Sequence, residues 1–230
     1  MRIYRVQTIL LALLYLILYA APVVAADDYI SLETLYNQTA FPLLAQRTDN
    51  EPVCAVFYLK PHKFSEIDNK EILSSYVISA GHCPGRLIKR NDTSWHEFKT
   101  LATFTTENID VLIGAISELR TNITYFEQGR FPHENETTYT AKTLMNINSP
   151  TEIQTLKFVG TDRNNQTLIF RGEVPIQKGM SGSPVISDKG ELLGIVIRLY
   201  PEDELLYEVL PYNHIIKILN VVEDKTMPRH

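Results

Sequence analysis

From Pro52 onward, the chain consists of short runs of β-branched and aromatic residues separated by polar turns. Runs of this kind are typical of strands, and so many in succession indicate an all-β fold. Ten strands are predicted, over residues 53–60, 72–79, 97–106, 111–116, 137–143, 154–161, 167–171, 184–187, 192–198 and 205–210. After Pro211 the spacing changes, and an amphipathic C-terminal helix is predicted from apolar residues at helical intervals, namely Tyr212, Ile215, Ile216, Leu219 and Val222.

The length of 230 residues allows one domain or two small β-barrels that share a cleft. Residues 121–136 contain a glycine, a proline and two Asn-X-Thr sequons, so we expect them to link two halves. The first barrel would then span residues 52–120, and the second barrel with its helix residues 137–230. Residues 27–51 mix polar and apolar residues without a clear period, and we expect them to form an N-terminal arm on the surface.

Residues 1–26 have the pattern of a signal peptide, with Arg2 and Arg5 ahead of an apolar run at 9–21 and small residues at 24–26. The alternative is an uncleaved membrane anchor. That alternative is weaker because the run is shorter than the ~20 residues a helix needs to cross a bilayer. We therefore expect cleavage, a secreted or extracytoplasmic protein, and no stable membrane insertion afterwards.

The charge of the chain excludes one class of partner. Residues 1–26 contain two arginines and no acidic residue, so the rest has 22 − 2 = 20 Lys+Arg against 27 Asp+Glu, a formal charge of 20 − 27 = −7. Lysines and arginines form no cluster, so nucleic acid is not an expected partner.

The six histidines show no His-Glu-X-X-His or comparable spacing, so no metal site is predicted.

Two cysteines and five sequons fit an exported protein. Cys54 and Cys83 are expected to form a disulfide, because bridges persist outside the cytoplasm, although two buried free thiols are the alternative. The bridge would tie the strand at 53–60 to the residue after His82. If the host glycosylates proteins, the acceptors would be Asn37, Asn91, Asn122, Asn135 and Asn165; otherwise these are polar loop residues.

The run Gly179-Met180-Ser181-Gly182-Ser183-Pro184 has the form of a reactive serine on a tight, glycine-flanked turn. A serine hydroxyl is a weak nucleophile unless a base takes its proton and a third group orients that base. The sequence offers His82 as the base and Asp110 as the orienting group, with Asp92 in a polar loop as the competitor. The order His, Asp, Ser and the lack of Gly-X-Ser-X-Gly both exclude an α/β-hydrolase elbow.

Four fragments together resemble trypsin-like (chymotrypsin-fold) serine endopeptidases, and are closer to their microbial Gly-X-Ser-Gly-Ser-Pro branch than to the Gly-Asp-Ser-Gly-Gly-Pro form. They are Ser79-Ala80-Gly81-His82-Cys83, Ile109-Asp110-Val111-Leu112, the Ser181 run, and Leu193-Gly194-Ile195-Val196. The resemblance implies two packed six-stranded antiparallel β-barrels, protein or peptide substrates, and no cofactor. His82, Asp110 and Ser181 would form the catalytic triad, and the backbone N–H groups of Gly179 and Ser181 the oxyanion hole.

Departures from the family pattern carry predictions of their own. Members activated by cleavage have an aspartate just before the nucleophile, where this chain has Met180 and no Ile-Val-Gly-Gly-like run upstream. We therefore expect no activation of that type and a different support for the oxyanion loop. The family's glutamate-specific members carry a histidine where this chain has Val196, so specificity for glutamate is not supported.

The expected specificity pocket is apolar. No aspartate lies at 173–178 to bind lysine or arginine; Glu173 lies further upstream. An apolar lining is expected from Pro175, Ile176, Val196 and Ile197, which favours apolar residues at P1, the substrate position before the scissile bond. Residues 198–200 lack the glycine expected in the pocket wall, so a narrow pocket and a second hypothesis remain: a protease-like binding protein with little or no turnover.

Overall fold

The computed structural model describes residues 31–45, 52–59, 75–89, 95–106, 109–116, 125–126, 129–142, 152–162, 164, 166–200 and 203–226. The chain divides into one unit of residues 1–31 and another of residues 32–230, and the features below belong to the second unit. The predicted signal peptide at 1–26 lies outside the described residues. In the described ranges, no helix has the length and apolar character needed to span a bilayer.

Two helices and thirteen strands make up the described part. The helices are α1 (Leu32–Thr39) and α2 (Tyr212–Thr226). The first seven strands are β1 (Ala40–Leu44), β2 (Cys54–Leu59), β3 (Ser75–Ser79), β4 (Leu87–Lys89), β5 (Trp95–Glu97), β6 (Lys99–Thr105) and β7 (Asp110–Ile116). The other six are β8 (Thr137–Lys142), β9 (Glu152–Thr161), β10 (Leu168–Gly172), β11 (Pro184–Ile186), β12 (Leu192–Tyr200) and β13 (Asp203–Pro211).

The strands form two antiparallel assemblies. Strands β8 to β13 close into a six-stranded barrel in the order β10-β13-β12-β11-β8-β9. Strands β1 to β7 form a curled seven-stranded sheet in the order β5-β4-β1-β2-β3-β7-β6. The predicted all-β class, the second barrel and the C-terminal helix are confirmed. Because β7 ends at Ile116 and β8 begins at Thr137, the connection between the two assemblies falls within residues 117–136.

The first assembly differs in detail from the predicted strands. The strand predicted at 97–106 is two strands, because the chain breaks at Phe98. The Phe98 ring packs onto Gly114 so closely that a Cβ there would lie 2.2 Å from a ring carbon. Strand β4 was not predicted, since three residues are too few to show an alternating pattern.

The prediction that residues 27–51 form a surface arm is wrong for residues 40–44. Strand β1 is buried along its whole length and pairs with both β2 and β4. Every residue of β1 is apolar and one of them is Pro42, so the strand shows no alternation of apolar and polar residues from which it could be predicted. Helix α1 buries Tyr36 completely, and the Tyr36 hydroxyl lies 2.7 Å from the carbonyl oxygen of Tyr139 and 2.8 Å from that of Pro184.

Three hydrophobic clusters stabilise the fold. A shared core joins the two assemblies and α2, and includes Phe57, Ile78, Ile113, Ile195, Leu210 and Ile215. A barrel core fills the second assembly with Leu156, Phe158, Leu168, Phe170, Met180, Val185, Val196, Tyr207 and Val209. A third cluster packs within the first sheet. Because the shared core is buried from both sides, it fixes the position of the sheet against the barrel.

Candidate active site

His82 and Asp110 lie together where β3 and β7 run side by side. Ser79, the last residue of β3, pairs with Leu112 of β7, so the turn after β3 reaches the first residue of β7. The backbone N–H of His82 donates to Asp110 Oδ1 at 2.8 Å, and His82 Nδ1 lies 2.5 Å from Asp110 Oδ2. Asp110 is 5% exposed, whereas the His82 side chain is 43% exposed. With Nδ1 engaged, Nε2 is the ring nitrogen left to exchange a proton.

The electrostatic setting favours a charged imidazole. The hydrogen bond with Asp110 raises the pKa of His82 above its ordinary value, against a smaller lowering by partial burial. The carboxylate charge of Asp110 adds to the increase, and the positive charge of Arg198 opposes it. A base with this arrangement accepts a proton more readily than a free histidine and keeps one fixed tautomer.

Gly81 is a site residue to which sequence reasoning assigned no role. A Cβ at this position would lie 2.2 Å from the carbonyl oxygen of Phe104 and 2.7 Å from Asp110 Oδ1. It would also lie 2.9 Å from the backbone nitrogen of Val111. Only glycine lets the turn before His82 approach β7 this closely, and that approach is what brings the two side chains into contact.

Ser181 lies on the predicted glycine-flanked turn, just before β11. Gly179 and Gly182 both have positive φ, +91° and +83°, which glycine adopts without strain. The N–H of Gly182 donates to the carbonyl oxygen of Val196 in β12 at 2.7 Å, so the turn is fixed to the barrel. The side chain of Ser181 is partly exposed, as attack on a substrate requires.

Ala55 joins the Ser181 turn to the first sheet. Its N–H donates to the carbonyl oxygen of Ser181 at 2.8 Å, and its own carbonyl oxygen accepts from buried Ser79 Oγ at 2.6 Å. A Cβ on Gly182 would lie 2.5 Å from Ser79 Oγ and 3.0 Å from the backbone nitrogen of Ala80. The turn therefore packs directly against Ser79, the last residue of β3, three residues before His82.

The backbone around Gly179 and Ser181 leaves two donors available. The N–H of Met180 is used within the turn, donating to the carbonyl oxygen of Gln177 at 3.1 Å. Among the described backbone hydrogen bonds, the N–H groups of Gly179 and Ser181 have no backbone acceptor. Two such donors on either side of a buried residue are suited to bind a developing oxyanion.

Met180 supplies the support that the sequence left open. Its side chain is fully buried in the barrel core, and its sulfur accepts a hydrogen bond from the N–H of Gln177 at 3.3 Å. Gly179 lies on Pro52, whose Cγ would be 3.2 Å from a Cβ at that position. The burial of the Met180 side chain in the barrel core and the packing of Gly179 against Pro52 therefore hold the turn.

The predicted disulfide is present between Cys54 and Cys83, with Cα atoms 6.1 Å apart and a sequence separation of 29 residues. It links β2 to the residue after His82. The two sulfurs and a His82 ring nitrogen lie within 4.8 Å of one another, which superficially resembles a metal site. Because both sulfurs are bonded in the disulfide, neither is a thiolate, and the group lacks the ligands a metal needs.

The predicted pocket lining is wrong for two residues. Val196 is buried in the barrel core and Ile197 in the shared core, and both are fully inaccessible. Pro175 is exposed and Ile176 packs against the barrel core.

Arg198 of β12 and Glu208 of β13 form an ion pair. Arg198 Nε and Nη2 donate to the two carboxylate oxygens of Glu208, at 2.5 and 3.1 Å, and Thr167 Oγ1 donates to Glu208 Oε1 at 2.9 Å.

Of the predicted glycosylation acceptors, Asn37 and Asn135 are exposed. The other three acceptors, Asn91, Asn122 and Asn165, lie outside the described residues, as does the competitor Asp92.

Comparison with known proteins identifies the fold. No family model and no curated protein sequence matches this chain. The active form of the Rv3671c protease from M. tuberculosis is similar in structure, with a TM-score of 0.58 and 15% identity over 89% of this chain and 90% of that one. The MamO protease domain from Magnetospirillum magneticum has a TM-score of 0.59 and 12% identity, over 81% and 98%.

Kallikrein-related peptidase 10 is also similar, with a TM-score of 0.57 and 12% identity over 83% of this chain and 98% of that one. Since these proteins share little sequence with the chain, the likeness establishes the fold. The chain has the two-lobed β fold of serine proteases. More particularly, its fold is that of the trypsin-like and HtrA-type serine proteases.

Proposed function

We propose that this chain is a secreted serine endopeptidase that hydrolyses peptide bonds through an acyl-enzyme on Ser181. One observation carries the proposal: His82 and Asp110 are in hydrogen-bonding contact at the end of β3, and the Ser181 turn packs against that same strand end. The serine-protease fold supports the reaction class but does not by itself assign the catalytic residues.

The proposed reaction uses each residue at a stated atom. His82 Nε2 takes the proton of Ser181 Oγ, which attacks the substrate carbonyl carbon, and Asp110 stabilises the resulting imidazolium. The N–H groups of Gly179 and Ser181 bind the oxyanion. When the tetrahedral intermediate collapses, His82 gives its proton to the leaving amine. Water, activated by the same imidazole, then hydrolyses the ester and regenerates Ser181.

The extracytoplasmic location is part of the proposal. It rests on the signal-peptide pattern at 1–26, on the disulfide, which persists in oxidising compartments, and on the sequons. In a host that glycosylates, Asn135 is an accessible acceptor, since it lies exposed in a turn with φ of +59°. Partners would be protein or peptide substrates.

A protease-like binding protein is the second candidate, and the complete burial of Val196 and Ile197, which were expected to line the specificity pocket, favours it. Labelling with a fluorophosphonate separates the two. An enzyme gives stoichiometric modification that is lost in Ser181→Ala and retained in Ser187→Ala, a serine of the same barrel outside the site. A folded protein that is not labelled would instead support the binding protein.

A further inference from the structure

If Ser181 is the nucleophile, as proposed above, the chain that leaves its turn has to be held in place, because oxyanion donors act only from a fixed geometry. Ser183 and Pro184 form this exit, and Pro184 is the first residue of β11. The N–H of Ser183 donates to the carbonyl oxygen of Met180 at 2.9 Å, and its buried hydroxyl donates to that of Ala141 at 2.7 Å. The next carbonyl oxygen along the chain, that of Pro184, is held from β8 and from α1.

Tyr36 of α1 contacts this carbonyl oxygen from the N-terminal part of the chain. Its hydroxyl lies 2.8 Å from the carbonyl oxygen of Pro184 and 2.7 Å from that of Tyr139 in β8. Thr140 Oγ1 donates to the same Pro184 oxygen at 3.0 Å. Burial raises the pKa of Tyr36 well above its ordinary value, so the phenol remains a neutral hydrogen-bond donor at ordinary pH. One side chain thus joins α1 to the start of β11.

The position of the Tyr36 ring is fixed by the first sheet. The ring is fully buried in the shared core and packs edge-to-face on Phe126, with centroids 6.0 Å apart. Phe126 packs in the same way on Phe57 of β2, at 5.8 Å. Ala40, four residues after Tyr36, pairs with Phe57 as well. Because a close-packed core transmits displacements, the hydroxyl keeps one position relative to β2.

Strand β2 also holds the other side of the turn. The N–H of Ala55, two residues before Phe57, donates to the carbonyl oxygen of Ser181 at 2.8 Å. The segment from Ser181 to Pro184 is therefore bonded at both ends to elements from the N-terminal part of the chain, by Ala55 at one end and by Tyr36 at the other.

We propose that Tyr36 is a positioning residue for the reaction at Ser181. By holding the carbonyl oxygen of Pro184, its hydroxyl fixes the exit of the turn, and with it the direction of the Ser181 side chain and N–H group. The chain has Met180 where cleavage-activated family members have an aspartate that pairs with a new N-terminus. Helix α1 gives the turn support from the N-terminal part of the chain that requires no cleavage.

Removal of the hydroxyl alone tests the proposal. Tyr36→Phe keeps the buried ring, and we expect it to lower kcat and the rate of fluorophosphonate labelling about tenfold per folded molecule, the rate equivalent of one buried hydrogen bond. KM should stay within about twofold, because the contact acts on the reacting groups and not on substrate binding. Tyr207→Phe is the matched control. It removes a buried hydroxyl of the same barrel that contacts Val174 and Gln154, and it should keep both rates.

Chemical rescue separates the hydroxyl from the packing of the ring. Tyr36→Ala leaves a cavity that p-cresol and toluene should both fill, and each should raise the Tm of this variant. Only p-cresol carries the hydroxyl, so only p-cresol should restore labelling, by at least about fivefold over toluene. Tyr36→Phe carries the test if the alanine variant does not fold.

Amide hydrogen exchange of residues 181–186 reports on the turn without catalysis, and it should be faster in Tyr36→Phe than in wild type or Tyr207→Phe. Unchanged labelling by folded Tyr36→Phe, or equal rescue by p-cresol and toluene, would overturn the proposal. A wild-type protein that is not labelled would refute the enzyme, and the exchange rates would then decide whether Tyr36 holds the turn.

Discussion

Asp110 holds His82 at two points, with one carboxylate oxygen on the backbone N–H and the other on ring Nδ1. The ring cannot turn about its side-chain bonds without losing the second contact, and the turn cannot shift without losing the first. The orientation of the imidazole is therefore set by the position of β7, where Asp110 is the first residue.

Activity is expected to rise with pH at a midpoint above about 6.5, the ordinary pKa of histidine. The reason is the contact with Asp110, which raises the pKa of His82. Deprotonation frees Nε2 to act as base, so activity increases as pH rises through this pKa. The measurement is kcat/KM from about pH 5 to about pH 9, which reports the free enzyme. A midpoint at or below about 6.5 would contradict the assignment.

The same contact has a stability consequence of defined sign. The folded protein favours charged His82, so the pKa of His82 is higher in the folded protein than in the unfolded chain. The contact therefore contributes its full share to the free energy of unfolding below the unfolded pKa, and this contribution is lost as pH rises through the higher folded pKa.

Asp110→Asn should lower kcat by roughly 10⁴-fold, since the amide favours the wrong imidazole tautomer and no longer stabilises the imidazolium. Its pH midpoint should also fall. Steady-state kinetics give both quantities, and circular dichroism shows whether the variant is folded. Asp203→Asn, which changes a carboxylate outside the candidate site, is the control and should keep wild-type kinetics. A folded Asp110→Asn with undiminished kcat would exclude the proposed triad.

Met180→Asp should destabilise the protein by roughly 3–5 kcal/mol, because it buries a charge among the apolar side chains described for the barrel core. Met180→Leu keeps the apolar volume and should cost less than about 1.5 kcal/mol. Urea unfolding measures the free energy, and the rate of fluorophosphonate labelling reports the oxyanion turn. Equal stability of the two variants would show that burial of Met180 does not hold the turn.

Gly182→Ala should reduce both stability and labelling. Its φ of +83° costs about 1–2 kcal/mol for a residue with Cβ, and the Cβ would lie 2.3 Å from the carbonyl oxygen of Ala55. Gly190→Ala is the matched control, with φ of +78° and a Cβ 2.9 Å from a methyl group of Leu35. It should lose stability yet keep the wild-type labelling rate per folded molecule. Equal labelling by both variants would remove Gly182 from the site.

Removal of the disulfide in a Cys54→Ala, Cys83→Ala double variant should lower the free energy of unfolding by about 3–4 kcal/mol, since the bridge closes a loop of about 30 residues. Activity should fall further than the loss of folded protein explains, because Cys83 anchors the residue beside His82. Equilibrium urea unfolding and kcat, measured on the folded fraction, test the two parts. Unchanged kcat would limit the bridge to a stabilising role.

Much of the fold was readable from local pattern. The long strands and α2 were predicted because apolar residues recur along each of them at a single period, which identifies the buried face. The errors occurred where the pattern was short or mixed. Strand β4 has three residues, and β1 is apolar throughout and contains Pro42, so neither shows an alternation.

The pocket was mispredicted for a different reason. Val196 and Ile197 are adjacent on β12, yet one faces the barrel core and the other the shared core, so neither lines an open space. Both residues are apolar, so no local signal in the sequence distinguishes a strand buried on both faces from the wall of an open pocket.

The sequence by itself determined which groups carry the candidate chemistry, because a serine on a glycine turn, a histidine beside a cysteine and an aspartate at a strand start are local features. Only the tertiary structure decided how close they lie and what surrounds them. The His82–Asp110 contact depends on strand pairing and on the absence of a side chain at Gly81, and the position of the Ser181 turn depends on its packing against Ala55 and the end of β3. These are distances between remote parts of the chain, fixed by packing rather than by the pattern of any one segment.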